Sequence, residues 1–310
     1  MSEQVTPIMA GGTGRSGTTV IAGLLHRHAH VRASWPREVK FVNKEGGLLD
    51  LTLGPTGRRA KLPLGKWAAN SERALQARFR AFETGMRNEW WLRTNRLGRA
   101  SGLHLSWEAA ERDLLLEQLS AGLPADPIGA GRAFLAGMIR SQHGAAGEPW
   151  WIDTSPPNIS NAGRIHQFWP ETRFIWMVRD GRSTAASVLA ERWGPSDPVA
   201  AINWWADRVR RAHLGRQQVP PQAVLVLSLE DLVVLDREAS YQRVLDFLAL
   251  DDDPAMREFF NKQMPAERVG LDKWRSRVKD PAAFAAAYSV AAGQLESAGF
   301  EVFAREQPVL

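Results

Sequence analysis

A short apolar segment, Pro7-Ile8-Met9-Ala10, runs without a break into Gly11-Gly12-Thr13-Gly14-Arg15-Ser16-Gly17-Thr18-Thr19, and apolar residues at helical spacing follow from Val20 to Leu25. A buried strand, a glycine-rich turn and a helix in this order form the phosphate-loop arrangement of α/β proteins. The arrangement constrains chemistry as well as fold. Backbone N–H groups of such a turn point inward and meet the positive end of the helix, which makes an anion cradle. The Gly12-to-Gly17 spacing is that of a Walker A loop, but Thr18-Thr19 stand where that loop carries Lys and Ser/Thr. The lysine that would reach the β- and γ-phosphates is missing, which argues against Mg²⁺-dependent nucleotide hydrolysis. The loop's cation is internal, as Arg15.

The same logic recurs twice downstream. Thr172 to Val178 is a continuous apolar, β-prone run that reads as a buried parallel strand; it ends at Arg179-Asp180-Gly181-Arg182, and Ser183 to Leu189 reads as a helix. Ala223 to Leu227 is a third strand, with Glu230-Asp231-Leu232 behind it and an amphipathic helix over Tyr241–Leu250. Three strands each feeding a helix predict a parallel sheet flanked by helices, in one domain spanning residues 1–310. With 310 residues and 44% apolar content the chain buries a full core. Residues 50–148 differ in character: Gly/Pro-bearing loops, no clear strand, and Leu75, Phe79, Phe82 and Met86 on one helical stripe. They predict a largely helical insertion.

The sequence has no Cys, which excludes a disulfide scaffold, a thiolate nucleophile and a Cys-ligated metal. No apolar run approaches the ~18–20 residues of a membrane span, and the N-terminus lacks a leader pattern, so a soluble, cytoplasmic protein is expected.

An anion cradle with an internal cation and two hydroxyls suits a donor whose transferred group carries less charge than a γ-phosphate, as a sulfuryl group does. Gly14-Arg15-Ser16-Gly17-Thr18-Thr19 resembles the 5′-phosphosulfate loop of bacterial sulfotransferases that use 3′-phosphoadenosine 5′-phosphosulfate (PAPS). The resemblance implies that Arg15 contacts the 5′-phosphate and sulfate, with Gly17, Thr18 and Thr19 completing the cradle. Arg179 and Ser187, eight apart across a strand end and the next helix, resemble the family's 3′-phosphate pair. A strand-end Arg can fork two phosphate oxygens while a Ser two turns on donates from the side. Glu267-Arg268-Val269-Gly270-Leu271-Asp272-Lys273-Trp274-Arg275 resembles the segment that folds over the nucleotide, which implies phosphate contacts from Arg268, Lys273 and Arg275 and packing by Trp274. The fold implied is the P-loop-like sulfotransferase fold, with PAPS as donor, 3′-phosphoadenosine 5′-phosphate (PAP) as product and no metal.

Sulfuryl transfer needs the acceptor proton removed as the new bond forms. Arg37-Glu38-Val39-Lys40-Phe41 resembles the acidic segment of carbohydrate-type and bacterial members, so Glu38 is the expected general base, with Lys40 on the same face and Arg15 as electrophilic helper. His104, His143 and Asp153 are the competing bases. Trp150-Trp151-Ile152-Asp153-Thr154-Ser155 resembles an active-site segment of the family, with Asp153 where carbohydrate enzymes carry Lys.

Residues 58–99 carry 11 cations against three acids, a local +8 in a chain of net +5. This charge, together with Trp90, Trp91, Trp107, Trp150 and Trp151, predicts an aromatic-walled site for a small-molecule, glycan or lipid acceptor, with Trp90, Trp91, His104, Asp153 and Ser155 as its candidate residues. The competing classes are a phosphate-loop kinase, disfavoured by Thr18, and a basic nucleic-acid-binding module, since cations interleaved with aromatics suit single strands. No nucleic-acid partner is expected.

Overall fold

The computed structural model describes residues 5–33, 38–56, 71–94, 98–141 and 150–303. In chain order β1 (Thr6–Gly12) leads to α1 (Thr18–Leu25), β2 (Val31–Ala33) and α2 (Leu48–Leu53). Three longer helices follow: α3 (Glu72–Thr84), α4 (Ala109–Gly122) and α5 (Pro127–Ser141). Next come β3 (Trp150–Asp153), α6 (Ala162–Phe168), β4 (Arg173–Val178), α7 (Gly181–Leu189) and α8 (Pro198–Arg216). The chain closes with β5 (Val224–Ser228), α9 (Arg237–Leu248), α10 (Pro254–Gln263) and α11 (Pro281–Ser297).

Contacts divide the chain into two compact units. One comprises Ile8–Ala29, Pro156–Gly163 and the residues from Arg173 onward. Its strands β1, β4 and β5 are parallel, with Ala10 opposite Ile175 and Ile175 opposite Leu225. Ile8, Met9, Phe174, Ile175, Trp176 and Met177 are all at most 1% exposed, so β1 and β4 are buried on both faces, as continuous apolar runs require. Against α7, helices α8 and α11 build a core around Trp205, Trp274, Phe284 and Tyr288. Three helices here begin with the same two residues, an Asp cap followed by Pro. The Asp197, Asp253 and Asp280 carboxylates accept from backbone N–H groups of α8, α10 and α11, while the proline ring pre-sets the first turn.

The other unit comprises His30–Ser155 and Arg164–Thr172, with the start of the chain up to Pro7. It holds the parallel pair β2 and β3, with Arg32 opposite Trp151, and helices α2 to α5. The stripe expected near residue 80 is present: Phe82 and Met86 are fully buried and Leu75 and Phe79 half-buried. Ser71 caps α3 by accepting from Ala74 N.

The α/β class with a parallel sheet and flanking helices stands as expected. The sheet strands exceed the three that the sequence predicts, because β2 and β3 are only three and four residues long and feed no recognisable strand–turn–helix repeat. β2 is three residues with Arg32 at its centre, and the buried Arg32 guanidinium donates to the Ile139 carbonyl at 2.9 Å. Among the described residues no helix is long and apolar enough to cross a membrane.

Candidate active site

The loop after β1 is held by backbone conformations that few residues adopt. Gly14 and Gly17 have φ of 84° and 103°, and Arg15, at 62°, is one of two non-glycine residues with positive φ among those described. A left-handed non-glycine residue costs roughly 1–3 kcal/mol and persists where its surroundings fix it. Arg15 is fixed by what its side chain and carbonyl do. Its Nε donates to Ser187 Oγ at 3.1 Å, its Nη1 lies 3.7 Å from Glu191 Oε1, and its carbonyl accepts from Arg179 Nη1 at 3.0 Å.

Gly12 is equally constrained. A Cβ there would run into the Ser16 hydroxyl and lie 2.5 Å from the Met177 carbonyl of β4. Ser16 is 0% exposed, and its Oγ has no hydrogen-bond partner. Thr18 is buried and Thr19 exposed at the first turn of α1.

Arg179 ends β4 with only 15% of its side chain exposed, and its Nε is buried without a hydrogen-bond partner. The nearest carboxylate, Glu230 Oε1, is 4.0 Å from that nitrogen. Glu230 is itself committed: Oε1 accepts from Asp180 N at 3.1 Å and Oε2 from Ser228 Oγ at 3.3 Å. Burial pushes the Glu230 carboxyl up and the Arg179 guanidinium down; attraction between the two opposes both shifts, and Arg277 and Arg15 push Arg179 further down. Asp180 also favours the Arg179 cation, but makes its own bonds elsewhere: it caps α7 through Ser183 N and accepts from Arg182 at 2.6 Å and 3.1 Å.

The C-terminal segment is arranged differently from expectation. Trp274 is 1% exposed and belongs to the core around Trp205 and Phe284, with the Arg275 and Arg182 guanidinium groups 4.6 Å and 5.3 Å from its ring centre. It is a core residue and has no open face for a nucleotide. Lys273 turns back to the Glu267 carbonyl at 2.9 Å, and Arg275, 60% exposed, lies 3.7 Å from Asp272. The Arg268 side chain lies outside the described residues. Sequence reasoning stopped at Arg275 and missed Arg277, the residue of this segment that acts electrostatically on Arg179. The alternation Lys273, Arg275, Arg277 was the available signal.

The acceptor-side candidates fall in the other unit. Val39 and Phe41 are buried while Glu38 and Lys40 point outward as an ion pair of 3.1 Å, each about 40% exposed. Asp153 anchors this segment. It is 0% exposed; Oδ1 accepts from Val39 N at 2.6 Å and from Ser155 Oγ at 3.3 Å, and Oδ2 from Ser155 N at 3.0 Å. Its role is to hold backbone.

The expected aromatic wall is mostly core. Trp90, Trp107 and Trp151 are 5%, 3% and 0% exposed, and Trp90 packs with Phe41 and Phe82 at ring separations of 6.0 Å and 5.8 Å. With Phe134 of α5, 6.2 Å from Phe41 and 5.5 Å from Phe82, these rings hold α3, α5 and the 39–41 segment together. Trp91 is half-buried, with Arg112 4.2 Å over its ring, and its carbonyl accepts from His104 Nδ1 at 2.6 Å. His143 and the cations at 58, 59, 61, 66 and 96 lie outside the described residues.

A family model described as the sulfotransferase family matches residues 7–254, which spans the loop, the β4 end and Ser187. The chain belongs to the sulfotransferase family. Two solved sulfotransferases share its fold at low identity. STF9 from Mycobacterium avium is 14% identical with a TM-score of 0.52, over 97% of this chain and 79% of that one. The sulfotransferase domain from the curacin biosynthetic pathway is also 14% identical, with a TM-score of 0.50 over 96% of this chain and 99% of that one. No curated protein matches the sequence. The fold thus brings together Arg15 with Arg179 and Ser187, from two stretches of sequence, and the segment around Glu38 is anchored separately by Asp153.

Proposed function

We propose that this sulfotransferase moves a sulfuryl group from PAPS to a hydroxyl or amine of a small-molecule, glycan or lipid acceptor. One observation carries the reading: Arg15 is bonded to both Ser187 and Arg179 around a loop that leaves the Arg179 Nε and the Ser16 Oγ buried without hydrogen-bond partners. Buried polar groups without partners cost about 1–3 kcal/mol each, so two at one loop favour a ligand that satisfies them. The donor's oxyanions have the chemistry to do so. The residues present therefore fit the group.

Bound PAPS supplies an activated sulfuryl group on a phosphate leaving group. Arg15 has donors in use by Ser187 and Glu191, and both partners can be exchanged for sulfate and 5′-phosphate oxygens, which are better acceptors for a guanidinium. The Gly17, Thr18 and Thr19 amides and hydroxyls line the cradle. Arg179 and Ser187 hold the 3′-phosphate, with Arg277 adding positive charge. Lys273, Arg275 and Arg268 stay as peripheral phosphate contacts. Glu38 takes the acceptor proton, and the Lys40 ammonium at 3.1 Å orients its carboxylate. Asp153 is a poorer base by its surroundings, since both its oxygens are spent on backbone and Ser155, while His104, with Nδ1 on the Trp91 carbonyl, keeps Nε2 as the alternative base. No metal is assigned a role.

The deciding measurement is thermal stabilisation by PAP in the absence of Mg²⁺. A rise in melting temperature at PAP concentrations above Kd supports the reading; a rise only with ATP and Mg²⁺ replaces it with a kinase.

A further inference from the structure

Next to the loop lies an aromatic and cationic cluster that none of the roles above uses. A Cβ at Gly14 would come within 3.7 Å of the outer edge of the Trp204 indole, so this half-buried ring on α8 borders the loop beside Arg15. Trp193, in the turn after α7, lies 5.9 Å from Trp204 at an interplanar angle of 48° and is 60% exposed. It is the one large aromatic among the exposed hydrophobics of the described residues. Between Trp193 and the loop, Glu191 reaches Arg15 at 3.7 Å.

One helical turn after Trp204, Arg208 lays its guanidinium 4.2 Å over that ring. Its Nε is buried and has no hydrogen-bond partner. Among the described residues no carboxylate stands within ion-pair distance of Arg208. Its neighbour Asp207 is taken by Arg210 at 3.2 Å and Arg211 at 2.8 Å. A solvent-facing indole and a half-buried cation with no ion pair among the described residues, each set against Trp204 at the loop that is read as the sulfuryl site, suit a partner that is flat and negatively charged.

We propose that Trp193, Trp204 and Arg208 form the acceptor subsite, and that it selects a hydroxylated planar ring carrying an anionic substituent, of which a hydroxyaryl carboxylate is the simplest. The assignment rests on the sulfotransferase reading. The ring stacks on Trp193 and the edge of Trp204, and the anion takes the Arg208 donors. The adenine of the donor is the other flat ring available. It is separated from the sulfate by a phosphate and a ribose, whereas the cluster borders Arg15, the residue assigned to the sulfate. An acceptor ring is therefore the occupant that brings a hydroxyl to the transferring group.

The test compares wild type, Trp193→Ala and Arg208→Gln. Calorimetric titration in the presence of PAP measures 4-hydroxyphenylacetate against its uncharged analogue 4-hydroxyphenylacetamide, and PAP affinity is measured separately by thermal shift. Wild type is expected to prefer the carboxylate by about ten-fold, the size of one charge-assisted hydrogen bond. Trp193→Ala, which removes an exposed ring and no core packing, weakens both probes by about five-fold. Arg208→Gln abolishes the preference while keeping the stem over Trp204. Equal affinity of wild type for the two probes, or unchanged probe binding in Trp193→Ala, overturns the proposal. Loss of PAP affinity in Trp193→Ala with probe binding intact assigns the platform to adenine and also overturns it. Failure of wild type to bind PAP defeats the sulfotransferase reading instead, and the same titrations run without PAP still decide whether the cluster holds an anionic ring.

Discussion

Arg179, the residue that follows β4, donates from Nη1 to the main-chain carbonyl of Arg15 at 3.0 Å, so the cation at the end of β4 is tied to the loop at the end of β1. The pairing of β1 with β4, Gly12 opposite Met177, makes this tie short. The guanidinium is thereby oriented with Nε unused. Arg179→Ala should weaken PAP binding by about ten- to a hundred-fold, since a hydrogen bond to a charged group is worth about 1.5–3 kcal/mol. Arg179→Lys restores a charge but not the fork, and should recover only part of the loss. Isothermal titration with PAP measures both.

Gly17 tests whether the cradle depends on its backbone. Its φ of 103° excludes side chains on conformational grounds, and a Cβ would lie 2.8 Å from Leu229 Cδ1. Gly17→Ala meets both penalties, so a loss of roughly 1–3 kcal/mol of stability is expected together with loss of PAP binding. Urea denaturation and PAP titration on one preparation separate the two effects; full PAP affinity in a destabilised variant would take the loop amides out of the site.

Much of this was legible in the sequence for a physical reason: anion cradles and helix starts are set by residues adjacent along the chain. Gly12 to Thr19 and the Arg179 to Ser187 spacing each determine structure locally. What was not legible depends on partners distant in sequence. Arg32 makes sense within a strand only once the Ile139 carbonyl accepts from it. Trp90 and Trp274 look like ligand-facing aromatics in sequence, and only the arrangement of Phe41, Phe82, Trp205 and Phe284 around them turns them into core. Trp204 shows the reverse. It sits in the Trp204-Trp205 pair, of which Trp205 is 3% exposed and Trp204 borders the loop, a division that hydrophobicity alone does not make.

Glu38 and Asp153 should separate chemistry from scaffold. Glu38 is about 40% exposed with an ion pair to Lys40, and exposed pairs contribute little to stability. Glu38→Gln should leave melting temperature and PAP affinity unchanged and lower kcat by about 10²-fold or more, as for loss of a general base. Asp153→Ala leaves Val39 N and Ser155 N without their acceptor in a fully buried setting, so it should cost about 2–4 kcal/mol of stability. Unchanged kcat in Glu38→Gln would move the base elsewhere. Unchanged stability in Asp153→Ala would remove Asp153 as the anchor of that segment.

The pH dependence of stability should carry the signature of His213. Its ring lies edge-on to Trp176 at 4.7 Å and parallel to Phe303 at 6.1 Å, and Nε2 donates to the Glu301 carbonyl at 2.8 Å. Burial pushes its pKa below the ordinary 6.5; the Glu301 carbonyl works against that shift, and Arg216 reinforces it. The folded state therefore favours the neutral ring. Below its ordinary value the unfolded chain takes up the proton before the folded one does, so this contribution is complete above pH 6.5 and is lost as pH falls towards the lowered folded value. Melting temperature should fall between pH 7.5 and pH 5.5, and His213→Gln, which can still donate to Glu301, should fall less over the same interval. Parallel melts of the two proteins decide it: equal falls would assign the acid sensitivity to other groups.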